Sequence, residues 1–262
     1  MQWEDLTAPD FATAMKETQG VCLLPLAVIE KHGDHLPMGT DLFIGMEVAR
    51  RAAEIESAIL FPPFYLTQIL EAKHQPGTIA IGGRLMLELL EAVCEEIGRN
   101  GLKKIIFVPS HGGNRYLAPF FVQLMLEKHK DYMVYLPRML EDPNFAQLTK
   151  EVMESEFDHH GGEMETSLIL AIHPELVRMD QIDEGSGRRV GRLDHLPGME
   201  TPVSWYANFP DHYAGDARPA TAEKGERILQ HLAHKLAEVI RAIKEDRAAP
   251  ALYEEFFGRT QH

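Results

Sequence analysis

Val21-Cys22-Leu23-Leu24-Pro25-Leu26-Ala27-Val28-Ile29-Glu30-Lys31-His32-Gly33-Asp34-His35-Leu36-Pro37-Met38-Gly39-Thr40-Asp41 is the stretch that decides the fold. Its first nine residues form an apolar run of the kind that makes a strand buried on both faces. Its remainder gathers carboxylates and imidazoles between turn-forming glycines and a proline. Such groups are costly to collect at a strand end unless something offsets their charge and desolvation. A divalent metal ion does that. Carboxylate oxygen with imidazole nitrogen suits zinc, manganese or iron better than magnesium or calcium.

A strand that merely ends in a polar turn is the plain alternative, and the rest of the chain argues against it. A second apolar run, residues 102–108, ends in Pro109-Ser110-His111-Gly112-Gly113-Asn114. A third cluster, Asp158-His159-His160-Gly161-Gly162-Glu163-Met164-Glu165-Thr166-Ser167, precedes the apolar run 168–172. In open α/β sheets ligands bind beyond the carboxyl ends of the strands, so clusters placed there can converge on one site.

Further strands are expected over 58–62 and 132–136. Amphipathic helical spacing covers 42–57, 85–99, 116–130 and 221–244, the last with Ile228, Leu232, Leu236, Val239 and Ile243 as its buried stripe. Alternation of this kind predicts an α/β fold in αβα layers around a mostly parallel central sheet, in one domain spanning 1–262. From 178 to 219 the periodicity is lost. Trp205, Tyr206, Phe209 and Tyr213 lie in that stretch, and aromatics are scarce in disordered segments, so an ordered functional loop is expected.

Composition narrows the function. The 262 residues are 45% hydrophobic, enough for a sizeable core. A formal net charge of −14 disfavours a nucleic-acid partner, whose phosphates it would repel. The two cysteines, Cys22 and Cys94, both sit in apolar runs and read as buried free thiols. No apolar run approaches the ~18 residues of a membrane span, and the first residues lack a basic-then-apolar leader. A cytoplasmic protein without membrane partners is the expectation.

The three clusters together resemble those of the creatininase family. The pattern E-x-H-G-x-H-L-P-x-x-x-D is matched by Glu30, His32, Gly33, His35, Leu36, Pro37 and Asp41. H-G-G-N is matched by His111 to Asn114, and D-x-H-[AG]-G-x-x-E-T-S by Asp158, His160, Gly161, Gly162, Glu165, Thr166 and Ser167. Residues 215–225 also resemble a family signature. Several spaced motifs in order are far more specific than one. The resemblance implies a layered α/β fold, a homo-oligomer, often a hexamer, and two divalent metal ions per subunit.

Carried over, Glu30, His32, Asp41 and His111 are metal ligands, with Asp41 bridging. Creatininase itself has a ligand glutamate two residues after the histidine matched by His111; this chain has Gly113, and so resembles the H-G-G-N branch. Glu165 is then the candidate for the missing carboxylate, with Glu163 the other possibility, and Glu165 also joins the catalytic group. His160 is the catalytic or substrate-orienting histidine. His74, Asn114 and Trp205 are the candidate substrate-binding residues. The loop at His74-Gln75-Pro76-Gly77-Thr78 is two residues shorter than in many relatives. His35 is read as a structural support and His159 as a neighbour of His160.

The expected activity is metal-dependent hydrolysis of a C–N bond in a small amide, cyclic amide or formamide through a metal-activated water, with His160 giving the leaving nitrogen its proton. Cleavage of a short peptide is an alternative. An alternative of another class is a non-catalytic metal- or ligand-binding protein of the same fold.

Overall fold

The computed structural model describes residues 1–182, 185 and 187–260. Four parallel strands form its sheet: β1 (Val21–Leu26), β2 (Ile59–Leu60), β3 (Lys104–Pro109) and β4 (Met133–Tyr135), in spatial order β2-β1-β3-β4. Alternation along β1 divides the core in two. Val21 and Leu23 point to one face with Leu60, Ile106 and Val108; Cys22, Leu24 and Leu26 point to the other with Ile59, Ile105 and Phe107. Every residue of β1 is buried, which is why the run is continuously apolar rather than alternating.

Helices cover both faces. On the first lie α2 (Thr40–Ile55), α5 (Pro143–Val152), α6 (Glu163–Ile172) and α8 (Ala222–Glu245), through Val48, Ala49, Phe145, Leu168, Ile169, Ile228 and Leu236. On the second lie α1 (Ala8–Glu17), α3 (Gly83–Arg99) and α4 (Asn114–Leu124), through Ala14, Leu90, Cys94, Ile97, Ala118 and Phe121. This is the expected αβα arrangement. Cys22 and Cys94 are buried free thiols, as their contexts suggested.

The boundaries differ from the sequence reading for identifiable reasons. β1 stops at Leu26, not at residue 29, because its register partner there is Pro109, where β3 also ends. A proline offers no N–H to extend the ladder. Residues 27–29 stay in place by other bonds, from Ala27 N–H to the Phe64 carbonyl and from Ile79 N–H to the Ile29 carbonyl. α4 ends at Leu124, not 130; tight turns follow, and Lys130 closes the segment with its ammonium 2.5 Å from both Glu91 and Glu95.

The third cluster does not end a strand of the main sheet. Asp158–His160 forms β5, which pairs antiparallel with β6 (Ala214–Gly215) in a separate two-stranded sheet. Short helices α7 (Ser204–Asn208) and, at the chain end, α9 (Ala248–Arg259) complete the elements used below. In the 178–219 segment, Trp205 and Tyr206 lie in α7, and Phe209 and Tyr213 are buried; residues 183, 184 and 186 lie outside the described residues.

Two helices meet unusually closely. A Cβ at Gly225 of α8 would lie 1.9 Å from the Ser167 carbonyl oxygen of α6. The contact is reinforced where α8 begins: the Thr221 N–H donates to Ser167 Oγ at 3.1 Å, and the Thr221 hydroxyl caps the Lys224 N–H. No described helix is long and apolar enough to cross a membrane.

Candidate metal centre

Five segments deliver the polar groups. Glu30 and His32 follow β1. Asp41 lies in the first turn of α2, where the helix dipole favours a carboxylate. His111 follows β3. His160 ends β5, and Glu165 lies in the first turn of α6. Glu30, His32, Asp41, His111 and His160 are all buried, and the Glu165 side chain is a quarter exposed.

Asp41 stands between two groups of candidate ligands. Its Oδ2 is 3.1 Å from His111 Nδ1, which is also 2.8 Å from Glu30 Oε1. Its Oδ1 is 3.3 Å from His32 Nε2, which faces Glu165 Oε2 at 3.8 Å. The sets Glu30–Asp41–His111 and His32–Asp41–Glu165 each bring their ligand atoms within 4.8 Å of one another, as does Glu30–His32–His160. Glu30 Oε1, His32 Nε2 and Asp41 Oδ2 are buried and, though close to one another's imidazole and carboxylate partners, make no aligned hydrogen bond. Buried polar atoms are rarely left so, and convergent oxygen and imidazole atoms are what a divalent ion requires. The residues therefore fit a metal.

Protonation points the same way. Burial alone would lower the imidazoles, but Glu30 and Asp41 hold His111 well above its ordinary range, and Asp41 and Glu165 raise His32 to about 10. Protons occupy the positions a cation would take, so metal binding would release them. Burial pushes the Glu165 carboxyl up to about 7 against the pull of His32. His32 is suitably turned: Nδ1 donates to the Glu30 carbonyl oxygen at 3.3 Å, so once the Nε2 proton is displaced the lone pair exposed faces Asp41 and Glu165.

His160 behaves differently. Burial, with the charge of His32, lowers it to about 3, so it is neutral. Its Nε2 donates to the Lys31 carbonyl at 2.8 Å, and its ring stacks on His32 with centroids 4.1 Å apart. Glu165 accepts the Gly161 N–H at 2.5 Å. Glu163 is turned away, held by Lys224 and by the N–H groups of Glu154 and Ser155. Of the two glutamates considered as ligand, only Glu165 reaches the centre.

The remaining expected residues divide. Trp205 packs edge-on against His160 at 5.7 Å. His74 is exposed at the rim, 2.9 Å from the Pro210 carbonyl and edge-on to Tyr206. Asn114 is buried, and its amide nitrogen donates to the Leu26 carbonyl and Thr67 Oγ1, bracing the strand ends. His35 supports from behind, its Nε2 2.9 Å from the Gly161 carbonyl. His159 is exposed against Phe157 and does not support His160.

One residue was missed. His212, 1% exposed, places Nε2 2.5 Å from Glu30 Oε2 and receives the Trp205 indole N–H on Nδ1 at 2.9 Å. It lies in the aperiodic segment, and its only sequence signal is its place just before the signature beginning at Gly215.

Comparison with known proteins agrees with this geometry. The creatininase family pattern, described as creatinine amidohydrolase, matches residues 4–240. The chain is 27% identical over 256 residues to creatinine amidohydrolase of Pseudomonas putida, covering 90% of this chain and 95% of that one. It is 30% identical over 235 residues to the mycofactocin precursor peptide peptidase of Mycolicibacterium smegmatis, covering 86% of each. A solved creatininase structure in a manganese form superposes with a TM-score of 0.76 at 25% identity, covering 94% of this chain and 99% of that one. The chain belongs to the creatininase family of metal-dependent amidohydrolases.

Proposed function

We propose that this chain hydrolyses the C–N bond of a small amide, cyclic amide or formamide at a centre of two divalent ions, zinc or manganese, sharing Asp41. The observation that carries the reading is Asp41 itself, with one carboxylate oxygen toward His111 and Glu30 and the other toward His32 and Glu165. Ions held by those two sets would supply an acidified water and a positive charge facing the amide oxygen.

The protein's own residues do the rest. His160 is neutral, with Nε2 engaged by Lys31; its Nδ1 has no hydrogen-bond partner among the described residues. Nδ1 is thus the His160 atom at which a proton would be held and passed to the leaving nitrogen once metal has displaced the proton, and the charge, of His32. Trp205, against the His160 ring, walls the reacting atoms from solvent, and His74 with Tyr206 shapes the rim. The family resemblance also implies a homo-oligomer; Tyr116 and Phe120, four residues apart on α4, are 61% and 52% exposed.

The test is His160→Ala in metal-loaded protein, assayed on substrates found by screening small amides and formamides. Both ions should remain by elemental analysis while turnover falls roughly 100- to 10,000-fold, the usual contribution of general acid–base catalysis. Metal lost in step with activity would make His160 a ligand and overturn its assignment as proton carrier.

A further inference from the structure

We infer that Trp205 and His212 form a two-residue relay that positions Glu30 as a metal ligand. The inference rests on the reading of Glu30 as a ligand, and it follows from donor–acceptor chemistry. An indole N–H can only donate. Trp205 Nε1 lies 2.9 Å from His212 Nδ1, so Nδ1 must be the accepting nitrogen. In a neutral imidazole the proton then sits on Nε2, 2.5 Å from Glu30 Oε2. His212 therefore donates to that oxygen and leaves Oε1, which faces His111 Nδ1 at 2.8 Å, for the ion shared with Asp41 and His111. Outer partners of this kind fix the orientation of a ligand.

The backbone supplies a second observation. His212 has φ +54°, one of two non-glycine residues with positive φ among the described residues. Non-glycine residues rarely adopt this region, and the conformation persists only where the surroundings impose it. Here it lets one residue act twice. The His212 side chain holds Glu30, and its carbonyl accepts the Gly33 N–H at 3.2 Å, fixing the turn that carries His32. The Pro210 carbonyl is tied to His74 and Gln75 at 2.9 and 2.8 Å. The segment over the site is thus anchored both to the rim and to a ligand.

The test measures zinc affinity by chelator competition, alongside thermal melts of the metal-free proteins to verify folding. His212→Leu should weaken one of the two ions by on the order of 10- to 100-fold and leave the ion assigned to His32, Asp41 and Glu165 unchanged. Trp205→Phe, which keeps an aromatic ring but loses the N–H along with part of the indole's bulk, should weaken the same ion by about 10-fold, the low end of that range. His212→Gln, whose amide offers one acceptor and one donor, should recover part of the loss. Unchanged zinc affinity in both His212→Leu and Trp205→Phe, with only KM raised, would overturn the relay and leave Trp205 a substrate wall. Glu30→Ala separates the two ideas: if it keeps both ions, the reading of Glu30 as ligand fails; if it loses one while His212→Leu loses none, only the relay fails.

Discussion

The two halves of the centre are built on different foundations. Glu30, His32, Asp41 and His111 leave the ends of β1 and β3 or enter α2, next to a sheet whose register is fixed over six residue pairs. His160, Glu165, Trp205 and His212 come from a two-stranded sheet with a register shift, a helix start and an irregular segment. The first half has little freedom and collects the atoms that must not move. The second brings Glu165 to His32 and Asp41, holds Glu30 through His212, and on the proposed reading carries the proton on His160. Sites held on rigid elements are more exact than sites held on loops, so damage to the first half should be more severe.

The largest effect is expected at Asp41. Asp41→Ala removes the atom pair common to both ligand sets, so elemental analysis should find a large loss of metal. The affinity loss should exceed the roughly 10- to 100-fold typical of an outer partner. Full metal content would break the comparison at its base.

Gly113 comes next. A Cβ there would stand 2.5 Å from His111 Nε2 and 3.0 Å from the Gln68 amide. Gly113→Glu should therefore not recreate the ligand glutamate of creatininase. It should push His111 out of line, cost about 1–3 kcal/mol of stability as overpacking does, and release the ion assigned to Glu30, Asp41 and His111. Metal content by elemental analysis and a denaturant titration check both effects; undiminished metal would mean that the first half can yield.

The smallest effect concerns His35, which links the halves through Gly161. Burial lowers its imidazole to about 4, so between about 6.5 and 4 the unfolded chain binds a proton that the folded chain refuses. Stability from this group is present above pH 6.5 and is lost as pH falls through 4. Glu165, raised to about 7, acts in the opposite sense over part of that window, so the difference between proteins is the useful quantity. His35→Gln should flatten the acid loss of the metal-free protein by at most about 1.4 kcal/mol per pH unit. Parallel stability–pH curves for the two proteins would show that His35 takes up its proton over the same pH range folded and unfolded.

What was legible in the sequence follows the same division. An apolar run ending in ligand-type residues announces both strand and cluster, while the choice of Glu30, His32, Asp41 and His111 within the clusters came from the family motifs. Glu165 was legible only through its motif, and the preference over Glu163 needed Lys224 to be seen holding the latter. The strand β5 escaped because three polar residues, Asp158, His159 and His160, carry no apolar signal. His212 escaped because it is 182 residues from Glu30 in sequence and lies in a stretch without period. Asn114 was placed in the right motif, but its amide faces Leu26 and Thr67, a pairing that depends on where the two strand ends stand.

Gly225 shows how far from the centre its accuracy is decided. With no side chain, it lets α8 rest on the Ser167 carbonyl, and Ser167 is two residues beyond Glu165 on α6. Any larger residue would act as a shim, lifting the start of α6 and with it the Glu165 carboxylate. Misplacement by ~1 Å can cost about 100-fold in rate. The last glycine of the 215–225 signature is thus a tolerance specification for a part it never touches. Sequence drift there would be limited by fit and not by chemistry.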